Sequence, residues 1–179
     1  MKVLLCVDEE LVPLVFFPCG AGQTVEQETR RAAQALSVSM RVCSTARNGL
    51  YSWAAQKGIP ALLLERGGNG RWTPEDVDAD CEDVLRLMNH LRMIKEDFNA
   101  VHQTEIAKAV YEEALADGYW FPEVCAGQEV LKDALLGRWK SSDGTQCREV
   151  RARFAGRVLY ETAALGVRRN DPLVAYGTA

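Results

Sequence analysis

The sequence predicts an α/β chain in two parts, a mostly parallel sheet with covering helices followed by a small all-β C-terminal domain. Three observations predict it. Up to about Met93, extended apolar runs alternate with amphipathic stretches, the pattern of strands packed against helices. The amphipathic stretches open and close on capping residues. Beyond that point turn signals recur at short intervals, at Ala116-Asp117-Gly118, Ala126-Gly127-Gln128, Ser142-Asp143-Gly144, Ala155-Gly156 and Arg169-Asn170-Asp171-Pro172, with β-rich runs between them. The predicted boundaries are 1–93 for the α/β part, 94–104 for a linker with little periodicity, and 105–179 for the β domain.

Each element has its own reason. Val12 to Phe17 (VPLVFF) is apolar enough for a buried strand. Thr24 with Gln27 forms a capping-box pattern that opens a helix to about Leu36. Met40 to Cys43 reads as a short strand; Asn48 caps a short helix carrying Leu50, Trp53 and Ala54, and Gly58 ends it. Ala61 to Glu65 (ALLLE) is a third strand. The clearest helix follows, with Thr73 as N-cap, Pro74 at the first helical position and Glu75 and Asp76 at the positive end of the dipole. Its apolar residues Val77, Cys81, Val84, Leu85, Met88 and Leu91 fall on one face, predicted to be core. In the second part Leu135 to Trp139, Glu149 to Phe154 and Arg157 to Tyr160 read as strands. Ile106 to Leu115 has helical composition but precedes Asp117-Gly118, so it also fits a hairpin arm, and strand is the preferred reading.

Composition narrows the function. The 179 residues are 47% hydrophobic, with Lys+Arg 21 against Asp+Glu 25 and a formal net charge of -4. A mildly acidic chain has no basic stripe with which to displace counterions from nucleic acid. No apolar run reaches the roughly 18 residues of a membrane span. The apolar start of the chain is broken by Asp8, Glu9 and Glu10, which reads as cytoplasmic. Six cysteines lie far apart with no CxxC pair, so they are predicted to be reduced thiols of the interior.

The sharpest local feature is the strand ending in Glu65, followed by Arg66, Gly67, Gly68, Asn69 and Gly70. In open α/β sheets ligands sit beyond the carboxyl ends of strands, so Glu65 stands where a catalytic acid or base would be. Glycines there would let backbone approach a ligand. The alternative is that Glu65 pairs with Arg66 or Arg71 and the glycines turn the chain.

The run GLYSWAAQKGIPALLLERGGNGRWTPEDV resembles the succinylglutamate desuccinylase/aspartoacylase family, zinc-dependent amide hydrolases related to the zinc carboxypeptidases. Leu11 to Pro18 is similar to the family's strand after its last zinc ligand. Gly118 to Pro122, Gly127 to Val130, Leu136-Gly137 and Ala155 to Val158 resemble its C-terminal β domain. The resemblance implies a zinc-assisted hydrolysis of N-acyl amino acids or related small amides, in which Glu65 matches the glutamate that moves the proton. Arg47, Asn48 and Tyr51 become candidates for substrate contact, with capping or surface roles as the alternative. Arg66 becomes a candidate clamp for a substrate carboxylate, or one half of an adjacent charge pair.

The departure from the family is as informative. The resemblance implies a His-x-x-Glu pair upstream and a histidine just before the segment matching Glu9 to Pro13, yet residues 1–8 contain no histidine. The chain therefore reads as N-terminally truncated. Of its two histidines, His90 lies near the end of the long helix. His102-Gln103-Thr104-Glu105 matches His-x-x-Glu literally but falls in the linker after Glu65, where a chance match is the plainer explanation. No protein ligand set for zinc is evident.

Two functions follow from this reading: the C-terminal portion of a zinc-dependent deacylase, silent when isolated, or a metal-free binding or assembly module derived from that fold. A parallel sheet cut on one side leaves an open edge or an uncovered face. A homo-oligomer or a partner chain is therefore expected, with Val15, Phe16 and Phe17 as the contact. The alternative is that residues 1–8 fold back as an edge strand.

Overall fold

The computed structural model describes residues 2–5 as backbone and residues 9–179 in full. In chain order the elements are β1 (Lys2–Leu5), β2 (Glu9–Leu11), β3 (Leu14–Pro18), α1 (Gln23–Gln34), β4 (Met40–Ser44), α2 (Leu50–Gln56), β5 (Leu63–Arg66) and α3 (Pro74–His90). Strands alone follow: β6 (Thr104–Ile106), β7 (Lys108–Glu113), β8 (Gly118–Pro122), β9 (Glu129–Val130), β10 (Leu135–Ser141), β11 (Cys147–Arg151), β12 (Gly156–Thr162), β13 (Gly166–Val167) and β14 (Pro172–Thr178). No described helix is long and apolar enough to cross a membrane.

The chain forms two compact units that are not contiguous in sequence. The first holds β1, β3 to β6 and the three helices; the second holds β2, the turn Gly67–Arg71 and β7 to β14. Segment 94–103 has no regular structure, while Thr104 already begins β6, which pairs with β4. Early β2 joins the second unit because Glu9–Leu11 lies antiparallel against β12.

The first unit is a five-stranded sheet in the order β1-β5-β3-β4-β6. β1 runs parallel to β5, β3 to β4 and β4 to β6, but β5 runs antiparallel to β3. The sheet is therefore mixed, and every described pairing in the second unit is antiparallel. Its core is Val15, Phe17, Ala33, Leu36, Val38, Leu62 and Leu64, gathered between the sheet and α1. Burying one such large side chain contributes about 2 kcal/mol.

That core corrects the expected contact surface. Val15, Phe16 and Phe17 are buried, because β3 sits in the middle of the sheet with β4 and β5 on either side. The edges are β1 and β6, and Lys2–Leu5 is the edge strand beside β5.

Helix starts differ from the expected caps. The N-caps of α1 and α2 are Gly22 and Gly49, with φ of 103° and 101° and no side-chain cap bond. Thr24 and Asn48 therefore do not cap. Only glycine holds that backbone conformation without strain. α3 starts as expected, on a reciprocal Thr73–Asp76 capping box with Pro74 behind it.

The face of α3 is reversed from expectation. Val77, Val84, Leu85 and Leu91 are 40–58% exposed and Cys81 is exposed, whereas Asp83 and Arg86 are buried. The cause is Arg66 at the end of β5: a buried guanidinium needs carboxylate partners, and Asp80 and Asp83 supply them at 2.9 and 2.6 Å. Asp83 also accepts from the Ser37 amide. Arg86 donates to the Asn99 carbonyl and lies over the Phe98 ring. α3 is held by a polar row at Asp80, Asp83 and Arg86.

Cysteine pairing also differs. Cys19 and Cys43 form a disulfide with Cα atoms 5.6 Å apart, while Cys81, Cys125 and Cys147 are free and exposed. Parallel pairing of β3 with β4, prolonged by the Cys19 amide donating to the Ser44 carbonyl, brings the two thiols together. Cys6 lies outside the described residues.

The second unit stacks β2-β12-β14-β7 and β11-β10-β8-β13 around one core. Trp120 and Trp139 face each other in register on β8 and β10, with Leu136, Val158, Leu173 and Tyr176 among their buried companions. Ile106 ends β6 and Lys108–Glu113 forms β7, so the segment is extended as preferred. It is not a hairpin arm: β7 pairs with β14, while β8 beyond Asp117-Gly118 pairs with β10 and β13.

Candidate functional site

Glu65 sits in the last turn of pleat before β5 ends, paired in register with Leu4 on one side and Leu14 on the other. It is 9% exposed. Leu62 and Leu64 face the core under α1, so by strand alternation Glu65 faces the opposite side of the sheet while Arg66 turns back toward α3. The two adjacent charges are thereby separated by the sheet. Arg66 is bound by Asp80 and Asp83 on α3, partners other than the adjacent carboxylate expected from the sequence.

Because β5 is antiparallel to β3, its carboxyl end meets the amino ends of β3 and β4. Leu14 pairs with both Glu65 and Met40. The loop carrying Arg47 and Asn48 leaves the other end of β4, beyond Ser44, the fifth residue of that strand. Four residue steps separate the two ends, about 13 Å. The structure therefore does not bring Arg47, Asn48 or Tyr51 to Glu65. Arg47 and Asn48 are exposed. Tyr51 is buried, and its hydroxyl shares a 2.7 Å hydrogen bond with Ser44 Oγ, which fixes α2 to β4.

The glycine run after Glu65 serves the chain itself. Gly67, Asn69 and Gly70 have φ of 78°, 54° and 64°, and Gly68 and Arg71 exchange backbone bonds across the turn at 3.3 and 2.8 Å. A Cβ on Gly68 would stand 3.1 Å from the Glu9 carbonyl oxygen. The Asn69 amide donates to that same carbonyl. The backbone that the glycines admit is that of β2.

Neither histidine assembles a metal centre. His102 is exposed, and Glu105 of the His-x-x-Glu match accepts from Arg30 and from Arg41. His90, the last residue of α3, lines a shallow apolar cavity beside Leu87 and Leu91. Among the described residues no three of His, Cys, Asp and Glu are grouped to hold a metal ion. The donor set a catalytic zinc requires, three protein ligands with an open position, is not met by them.

One titratable group of the second unit escapes the sequence. Glu161 on β12 is 4% exposed and lies in register opposite Glu10 on β2. Its Oε2 has no hydrogen-bond partner among the described residues. Burial first, and the Glu10 charge second, push its carboxyl up to about 7. Its sequence context, Leu159-Tyr160-Glu161-Thr162, shows only an alternating strand.

No protein-family model matches the sequence, and no curated protein matches it. Solved structures do match. The product-bound ectoine utilization protein EutE (DoeB) from Ruegeria pomeroyi has a TM-score of 0.81 at 18% identity, covering 99% of this chain and 57% of that one. A succinylglutamate desuccinylase from Silicibacter sp. has 0.76 at 18% identity, over 98% of this chain and 57% of its own. A succinylglutamate desuccinylase/aspartoacylase from Rhodobacter sphaeroides has 0.73 at 20% identity, again over 98% and 57%. The structural neighbours are thus succinylglutamate desuccinylase/aspartoacylase family proteins, and the chain has their mixed α/β fold. It spans 57% of the length of these three structures.

Proposed function

We propose that this chain carries the glutamate-bearing part of a hydrolase site that removes acyl groups from N-acyl amino acids or related small amides. The observation that supports the reading most is Glu65, a largely buried carboxylate one residue before the end of β5, in a chain that has the fold of deacylase-family structures across nearly its whole length. In that role the Glu65 carboxylate takes a proton from the attacking water and returns it to the leaving amine. Arg66 is the anchor of β5 on α3, and Arg47, Asn48 and Tyr51 serve the α2 end of the sheet.

Family-type hydrolysis uses zinc to polarise the acyl carbonyl, and the described residues do not fit that ion. The proposal is therefore a divided site, in which a partner chain or another segment supplies the metal ligands and this chain supplies Glu65. A second reading is favoured by the outward apolar face of α3: a metal-free assembly module that keeps the fold and not the reaction.

Zinc content and hydrolysis separate the two. The purified chain is measured for bound zinc and assayed against a panel of N-acyl amino acids, alone and with candidate partner chains. Hydrolysis that requires both a partner and Glu65 supports the divided site; unaltered hydrolysis by the complex after Glu65→Gln refutes it.

A further inference from the structure

α3 turns to solvent the face that its sequence composes as core. Val77, Cys81, Val84, Leu85 and Met88 recur at helical spacing along it, and four large apolar residues of that face stay 40–58% exposed. The opposite face is already committed, through Asp80 and Asp83 to Arg66 and through Arg86 to Asn99. The helix is anchored on its polar side, so no repacking within the first unit is needed to explain the apolar side.

Charge defines what fits that face. Six carboxylates lie in α3 (Glu75, Asp76, Asp78, Asp80, Glu82 and Asp83) against Arg86 as its only full cation. Asp76 is used by the cap and Asp80 and Asp83 by Arg66. Glu82 is paired with Arg86, which leaves Glu75 and Asp78, three residues apart, on one border of the stripe. A second copy of α3 brings the same acidic pair and no spare cation, because its Arg86 is buried and bonded to Glu82. Self-pairing sets like charges together.

The far end of the stripe supplies a socket. Leu91, just past the helix, and Leu87 line a cavity of about 200 Å³ whose other apolar walls are Ala32, Pro60, Ala61 and Leu62. Such a space takes one large apolar side chain of an incoming element.

We infer that the exposed face of α3 is a docking surface for an amphipathic helix of a partner chain, with lysines or arginines facing Glu75 and Asp78 and an apolar anchor in the Leu87/Leu91 socket. The inference goes beyond the proposed hydrolysis and does not depend on it.

The test uses the whole chain and a synthetic helical peptide of about five turns, with leucines on one face and a lysine row beside them. A second peptide carries glutamates in place of the lysines. Binding of the lysine peptide, absent for the glutamate peptide and weakened about tenfold by Val84→Glu, is the expected result. Leu131→Glu, at an exposed residue of the second unit, leaves binding unchanged. Circular dichroism verifies that each variant is folded, and Leu85→Glu stands in if Val84→Glu is not. No binding of the lysine peptide, or equal binding by the stripe variant, overturns the inference. So does a dimer of the chain alone that Val84→Glu dissociates, since the occupant is then a second copy. None of these readouts involves amide hydrolysis, so failure here leaves the divided-site proposal to its own assay.

Discussion

Arg66 donates through Nη2 to Asp83 at 2.6 Å, and both side chains are buried. This one pair joins the strand of the candidate catalytic glutamate to α3 and decides which face of that helix meets solvent. Removing Asp83 leaves the buried guanidinium with Asp80 as its remaining carboxylate and the Ser37 amide without its acceptor.

Asp83→Ala is therefore expected to cost about 1–3 kcal/mol of stability, read by urea unfolding. Replacing both partners, Arg66→Met with Asp83→Leu, restores most of that loss. Equal destabilisation by the single and double variants would show that the pair does not anchor α3.

Glu161 gives the protein a pH dependence with a definite sign. Its carboxyl is pushed up to about 7 in the folded state, above the ordinary glutamate value of 4.5, so between those values the folded state holds a proton that the unfolded state has lost. The contribution is fully present below about 4.5 and is lost as pH rises through 7, a change of up to about 3 kcal/mol. Glu161→Gln should raise stability at pH 8 and flatten the profile between 4.5 and 7. A wild-type profile that rises with pH across that window contradicts the assignment.

Reduction of the Cys19–Cys43 bond reopens a loop with a sequence separation of 24. The expected loss is about 3 kcal/mol, visible as a lower urea midpoint in dithiothreitol. Cys19→Ser should reproduce that midpoint and make it insensitive to the reductant. A midpoint that does not respond to either change shows that the bond does not form in solution.

Local chemistry made much of the first unit readable. Thr73-Pro74-Glu75-Asp76 marks the start of α3 to the residue, and the apolar LVFF and LLL runs mark β3 and β5 because both are buried strands. The register and direction of those strands were not readable. Alternating strands and helices suggest parallel neighbours, and nothing in Leu63 to Arg66 says that β5 runs against β3. That reversal places Glu65 beside Leu14 and carries Arg47, Asn48 and Tyr51 to the other end. The stripe of α3 was legible as a stripe and misread as core, because periodicity gives the face and not what it meets; the buried partner of Arg66 outweighed it. The disulfide and the Glu10/Glu161 pair depend on pairings between distant segments, for which the single sequence carries no signal.

The central claim is that the chain holds the fold of deacylase-family structures and Glu65, with no metal centre among its described residues. The measurement that tests it most directly is hydrolysis of N-acyl amino acids by the purified chain alone, with and without added zinc. Without a polarised carbonyl the reaction forfeits several kcal/mol of transition-state stabilisation, so the account predicts no turnover above background at any zinc concentration. Zinc-dependent deacylation by the isolated chain, abolished by Glu65→Gln, would contradict it.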